Sequence, residues 1–264
     1  MAVKVNHEEK QPLVSVIIPV YNASRTIGAT LDSVLGQTYE NLEILAVNDC
    51  SSDDSLKILE EYAKKDKRLK VFSNPENLRV AKTRNFAIEK ATGKYIAFVD
   101  ADDIWDLTKI EKQLAFMKEN DCKLCYTSVD FIDNDGNATG RQFIVPEKVH
   151  FNKLLKQNVI TLSSACAESE IIKKHLMHND ELHEDFIMWL EILRDEIKFA
   201  YGLREVLVHY RLTTGSKSRN KFKSMKMTYK TYRLLKVNVF KSLYCLFIYV
   251  IKSLKKYGKE AVKK

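Results

Sequence analysis

Tyr95-Ile96-Ala97-Phe98-Val99-Asp100-Ala101-Asp102-Asp103 joins five apolar residues directly to three carboxylates. A short apolar run bounded by polar residues reads as a buried strand, so Asp100, Asp102 and Asp103 arrive together at its carboxyl end. Clustered carboxylates repel one another and resist desolvation. A strand mouth that gathers them suits a shared divalent cation, and metal chemistry is the first expectation.

Upstream, the apolar run Val14–Ile18, stopped by Pro19, predicts a first strand. A helix capped by Ser24 follows, with Ile27, Leu31, Val34 and Leu35 at helical spacing. Leu42–Val47 is a second strand, ending on Asn48-Asp49, and Ser51 to Asp54 open a helix whose apolar face is Leu56, Leu59 and Tyr62. Leu69–Phe72 is a third strand, and a helix from Val80 to Ala91 closes at Gly93. Strands alternating with helices over short connections predict an α/β fold: a doubly wound, mostly parallel sheet flanked by helices. Ligands of such sheets bind at the carboxyl ends of the strands, where Asp49 and Asp100–Asp103 fall.

A helix over Leu107–Asn120 and a strand over Cys122–Asp130 complete a first region, residues 1–130. Asn134-Asp135-Gly136-Asn137 reads as a hairpin turn. It is not a calcium loop, because Ile144 stands where the twelfth, acidic position falls. Residues 131–215 are less regular, with helices near Phe151–Gln157 and Glu184–Asp195 and a strand at Glu205–Tyr210. This second part of the same domain is expected to complete the site with its acidic pair, Glu184 and Asp185.

Several pieces now form an ordered set. Pro12 to Asn22, Val47-Asn48-Asp49-Cys50-Ser51-Ser52-Asp53, Thr83-Arg84-Asn85, Phe98 to Asp103, and Glu184-Asp185 with Trp189 resemble the family 2 glycosyltransferases of GT-A fold, among them those of bacterial capsule, O-antigen and lipopolysaccharide synthesis. The resemblance runs from about Pro12 to Arg211, and its force lies in the order of the set, since each piece alone is common. It implies an inverting transfer from a UDP-sugar to a hydroxyl of a glycan, which is lipid-linked in that setting. The departing diphosphate needs its charge neutralised as the glycosidic bond breaks, so Mg²⁺ or Mn²⁺ is the implied cofactor.

By that resemblance Asp102 ligates the metal and Asp100 faces the ribose. Asp103 is left to orient either the loop or the donor sugar. Pro19 belongs to the donor site, and Tyr21 and Asp49 match the pair that recognises the base, an aromatic face and a carboxylate suited to uracil. Read without the family, Tyr21 is a packed aromatic and Asp49 a helix cap. Arg84 either approaches the diphosphate or fixes the acidic loop. Asp185 is the expected general base, while Glu184 either raises its proton affinity by like-charge repulsion or binds the acceptor. The plain alternative is that both acids favour a helix amino terminus. His209 either reaches the diphosphate or is packed in its strand, and His183 and Arg211 carry less weight.

The chain also departs from the family pattern. Cys50 and Arg79 stand where glycine is usual, as does Ala87. Loss of φ freedom there points to altered donor geometry, and a basic Arg79 at the mouth suits an acidic donor sugar. Two other readings compete with the transferase. A sugar-1-phosphate nucleotidyltransferase would want a glycine-rich phosphate loop after the first strand, and Pro19-Val20-Tyr21-Asn22 offers none. A catalytically silent scaffold that docks on membranes would keep the fold without turnover.

The 264 residues suffice for a full core, and the net charge of +8 is localised. From Ser216 onward fifteen Lys and Arg face one acid, Glu260, whereas the first 215 residues hold 28 bases and 34 acids. That acidic body, with no nucleic-acid-binding module, speaks against nucleic acid as a partner. Five cysteines without framework spacing and no apolar leader predict a cytoplasmic setting. Cys122 and Cys125 form an isolated CxxC inside a strand, better read as structure than as zinc site.

The basic tail, residues 216–264, shows Met225, Tyr229, Tyr232, Leu235, Val239, Leu243 and Phe247 at helical spacing, a pattern that predicts one amphipathic helix. Its apolar run Leu243–Ile251 is too short to span a bilayer. Such a helix suits the anionic inner face of the plasma membrane, as a peripheral contact, or else packs on protein.

Overall fold

Along β1 (Val14–Val20) the side chains of Val16, Ile18 and Val20 join one layer of the core and Ile17 the other, and all four are buried. That two-sided burial is why the strand reads as a continuous apolar run. The computed structural model describes residues 11–178, 182–212 and 221–257. After β1 come α1 (Ile27–Leu35), β2 (Leu42–Asn48), α2 (Ser55–Lys65), β3 (Leu69–Ser73), α3 (Arg79–Lys90) and β4 (Tyr95–Phe98). The chain continues through β5 (Ile104–Trp105), α4 (Lys109–Glu119), β6 (Leu124–Ile132), β7 (Ala138–Phe143), β8 (Lys148–Val149) and α5 (Phe151–Leu154). A 3₁₀ turn at Leu162–Ser164 precedes β9 (Cys166–Glu168), α6 (Ser169–Lys174), α7 (Glu184–Asp195), β10 (Ala200–Arg211), α8 (Lys221–Leu234) and α9 (Val239–Tyr257).

One ten-stranded sheet carries the order β3-β2-β1-β4-β9-β6-β10-β5, with β7 on β6 and β8 on β10. The first four strands of that order are mutually parallel. β9 runs antiparallel between β4 and β6, and β10 is parallel to β6. The α/β sheet flanked by helices is as expected, and its β3-β2-β1-β4 part is parallel; taken whole the sheet is mixed, with four parallel and five antiparallel strand pairs. The β6–β7 turn is held by Asp133, whose Oδ1 accepts the amides of Asp135 and Asn137.

Several local readings need correction. Ser24 does not cap α1; Thr26 holds that position without a side-chain cap, and the Ser24 amide instead donates to Asp53 Oδ2. The short β9 was not foreseen, because a three-residue strand has no period to read. Nor is the tail one helix. It breaks between Leu234 and Val239, where Lys236 adopts φ +57°, and the single stripe divides: Tyr232 and Leu235 are buried, Leu243 and Phe247 exposed. Lys255 and Lys256 lie outside the residues whose side chains are described.

A buried carboxylate fastens the amino ends of the central strands. Glu43 on β2 accepts from Ser15 Oγ at 2.7 Å, from the Thr92 amide at 2.6 Å and from Lys70 Nζ at 2.8 Å. Gly93 is required for this closure, since a Cβ there would sit 2.7 Å from the Ser15 amide nitrogen.

Candidate active site

The order β2-β1-β4 sets the carboxyl ends of these strands side by side, which brings Pro19, Tyr21, Asp49 and the Asp100 loop to one edge. Half-buried Pro19 lacks an amide and stands beyond the last β1–β4 pair, Ile17 with Phe98, so no ladder bond is lost there. Tyr21 is exposed, an aromatic face open to a ligand. Asp49 is buried, and its Oδ1 accepts from Asn74 Nδ2 and the Leu78 amide, both at 2.8 Å. Asn74 also bonds Thr83 Oγ1 at 3.0 Å, linking the end of β2 to the first turn of α3.

Next to Thr83 stands Arg84, the hub of the site. Its guanidinium is buried and donates through Nη2 to Asp100 Oδ1 at 2.5 Å and through Nη1 to Glu184 Oε1 at 3.2 Å. Residues from α3, from the loop after β4 and from the first turn of α7 thereby meet on one cation. Burial opposes the Arg84 charge, and the two carboxylates more than offset it, so the guanidinium is held above its ordinary pKa. Arg84 thus ties the acidic loop to the first turn of α7.

The three loop acids have separate surroundings. Asp103 is buried, accepting the Arg211 amide at Oδ1 (2.9 Å) and Ser163 Oγ at Oδ2 (2.5 Å). Ser163 Oγ in turn accepts the Asp100 amide, and Arg211 Nε donates to the Asp102 carbonyl. Asp103 therefore anchors the loop from within. The Asp102 carboxylate has no hydrogen-bonding or ion-paired side chain among the described residues. Burial, then repulsion from Asp100, pushes its pKa up to about 6.

Asp185 opens α7 beside Glu184. Its pKa is raised by burial and next by the Glu184 charge, partly offset by His183 and Arg84. A carboxyl so perturbed is a better proton acceptor than one in water. Trp189, one turn further, is buried edge-on against Phe98. His209 does not stand open to a ligand on both sides: its Nδ1 is 2.7 Å from Asp130 Oδ1 on the neighbouring β6.

No group of three or more His, Cys, Asp or Glu among the described residues is arranged to hold a metal ion. A single carboxylate is compatible with Mg²⁺ or Mn²⁺ when substrate phosphates and water complete the coordination. Asp102 fits that donor set. The Cys122 and Cys125 thiols are buried, and burial pushes both pKa values up to about 12, far from a thiolate ligand.

Residues 15–172 match the model of glycosyl transferase family 2. The chain is 37% identical over 255 residues to the putative teichuronic acid biosynthesis glycosyltransferase TuaG of Bacillus subtilis, covering 96% of this chain and 98% of that one.

The chain belongs to the family 2 glycosyltransferases.

A second relative of this family 2 glycosyltransferase is the Escherichia coli UDP-Glc:alpha-D-GlcNAc-diphosphoundecaprenol beta-1,3-glucosyltransferase WfgD, 35% identical over 249 residues, 93% of this chain and 95% of the relative. S. aureus TarS 1-349, solved with UDP-GlcNAc, shares the GT-A fold at TM-score 0.71 and 22% identity, over 95% of this chain and 76% of that one. Pyrobaculum calidifontis PcManGT, solved with GDP-Man and Mn²⁺, does so at 0.68 and 15%, over 96% and 76%.

Cys50 and Arg79 adopt φ of +58° and +67°, so both positions have the left-handed backbone that glycine reaches without strain. The cost is steric, about 1–2 kcal/mol per residue. Sequence reasoning missed Asn74 and Ser163, which orient Asp49, Asp100 and Asp103. Neither sits in a recognisable motif, and only tertiary contact exposes their role.

Proposed function

We propose that the chain is an inverting glycosyltransferase that moves a sugar from a UDP-sugar to a hydroxyl of a lipid-linked glycan in bacterial surface polysaccharide synthesis. In this reading residues 1–130 bind the nucleotide sugar, 131–215 supply the acceptor side and the base, and the basic tail, 216–264, rests on the inner face of the plasma membrane. The observation that supports it is the Arg84 bridge, which ion-pairs with Asp100 of the acidic loop and Glu184 in the first turn of α7. The name of WfgD, a UDP-Glc-dependent transferase acting on a diphosphoundecaprenol-linked acceptor, supports the donor and acceptor classes. Mn²⁺ with GDP-Man in PcManGT supports a divalent cation.

Tyr21 stacks on the base and Asp49 accepts its ring N–H, with Pro19 shaping the wall beside them. Asp100 faces the ribose while tied to Arg84, and Asp102 would hold Mg²⁺ or Mn²⁺, which supplies charge neutralisation to the diphosphate. Asp185 takes the acceptor hydroxyl proton as the new C1–O bond forms. The C1–O bond to the β-phosphate breaks on the opposite side, and its electron pair leaves on UDP, giving inversion. Glu184 keeps Asp185 basic and, through Arg84, in register with the loop.

A panel of UDP-sugars with Mn²⁺ tests this reading, with UDP release as the readout. One donor should be turned over in a cation-dependent manner, and Asp102→Ala should lower that rate by at least about a hundredfold, the scale of a lost transition-state electrostatic contact. No UDP release from any donor, or an unaffected Asp102→Ala variant, would sink it.

A further inference from the structure

Helix α9 has two apolar faces. Ser242, Cys245, Leu246 and Tyr249 turn toward the protein core. On the opposite side Phe240, Leu243, Tyr244, Phe247 and Ile251 form an exposed stripe, with Phe240 83% accessible. Among the described residues, packing therefore covers one apolar face of the helix and leaves the other exposed. Neither α8 nor α9 contains an acidic residue.

The bases lie on one flank of that stripe. Lys241 reaches Asn152 Oδ1 at 2.7 Å, and Lys156 lies 5.0 Å above the Tyr244 ring. Beyond them, residues 143–148, Lys153, Gln157, Arg204 and Lys252 line a cavity of about 660 Å³. Four bases, Lys148, Lys153, Arg204 and Lys252, face one acid, Glu147, which stands 3.8 Å from Arg204. Lys252 follows Ile251, so the apolar stripe and the basic cavity meet on α9. The cavity wall is held rigidly: the Gly202 amide donates to the Glu147 carbonyl at 2.8 Å, and any Cβ at 202 would collide with the Pro146 carbonyl oxygen.

We propose that this cavity is a binding site for the phosphate of an anionic phospholipid, filled when the outer stripe of α9 lies in the bilayer interface. Apolar side chains entering the acyl boundary with bases level with the headgroups are what an in-plane amphipathic helix requires. The net positive cavity supplies a specific contact where a bare stripe would give only partition. This assignment deepens the proposed function, from which the membrane setting is taken, but its test does not depend on catalysis.

Flotation of the full chain with phosphatidylcholine vesicles, with and without phosphatidylglycerol, is the experiment. Binding should require phosphatidylglycerol and should weaken roughly 30-fold in the Lys148→Gln, Lys153→Gln double variant, which removes two bases from the surface. Lys→Arg changes at both positions should restore it. An equal charge change on exposed residues of α2, Lys57→Gln with Lys64→Gln, should leave binding intact, and Phe240→Ser with Phe247→Ser should abolish it. UDP-sugar turnover without vesicles should be unaltered in the Lys148, Lys153 variant, so loss of turnover and loss of lipid binding are read separately. Wild-type binding by that variant, or an equal loss in the α2 control, would overturn the proposal. Equal affinity for inorganic pyrophosphate with no preference for anionic vesicles would assign the cavity to a soluble diphosphate instead.

Discussion

Arg84 concentrates the residue-scale argument, because one buried guanidinium serves two carboxylates from distant parts of the chain. Arg84→Met should cost about 3 kcal/mol in urea unfolding, since the buried Glu184 would lose its partner and the half-buried Asp100 would be only partly screened by water. Arg84→Lys should recover little of that, because an ammonium cannot fork to two oxygens; full recovery would contradict the bridge. The raised pKa of Asp185 fixes the direction of a pH effect. A base must be ionised, so the rate should fall as pH drops through its elevated pKa. Glu184→Gln removes the like charge and should move that acid limb to lower pH, as a pH–rate profile would show. The acids themselves were legible in the sequence as an ordered set. Their division of labour was not: Asp103 is set apart from Asp102 by Ser163 and Arg211, which lie 60 and 108 residues away from it.

At the scale of elements, periodicity located the strands and helices that are long and two-sided. β1, β2, β4 and α7 follow the apolar runs and spacings that predicted them. What escaped were elements made by distant partners, such as β9, whose Ala167 pairs with both Ile96 and Leu124. Glu43 is another case, an acid inside a buried strand that makes sense only with Ser15, Lys70 and Thr92 around it. Burial alone would raise its pKa, yet the hydrogen bonds from Lys70, Ser15 and Thr92 win and lower it from 4.5 to about 2. A depressed folded pKa contributes stability that is fully present above pH 4.5 and is lost as pH falls toward 2. At roughly 1.4 kcal/mol per pKa unit this is about 3 kcal/mol. Glu43→Gln should lose most of that at neutral pH and flatten the acid decline in denaturant midpoints; an unchanged acid limb would remove Glu43 from the account.

For the whole molecule, the tail is built into the domain that carries the candidate base. Ser224 Oγ on α8 lies 3.2 Å from His183 Nε2, just before Glu184. Phe186, next to Asp185, packs against Tyr232 of α8 and Tyr249 of α9. Tyr232 is wholly buried and donates to the Leu155 carbonyl at 2.5 Å. The sequence left membrane contact and protein packing as alternatives because it showed one stripe; two helices with a left-handed residue between them divide it into a packed face and an exposed one. Tyr232→Ala should destabilise the chain by about 3–5 kcal/mol, the cost of a large aromatic removed from a core. If chemical unfolding shows less than about 1 kcal/mol, on the scale of a surface substitution, the tail is an appendage after all. The central claim is that the Arg84 bridge delivers Asp185 to a bound UDP-sugar as the acceptor's base. Its most direct test is single-turnover sugar transfer by Asp185→Asn at saturating donor and Mn²⁺. The account predicts transfer slowed by about a hundredfold or more with donor affinity unchanged, whereas wild-type transfer rates would contradict it.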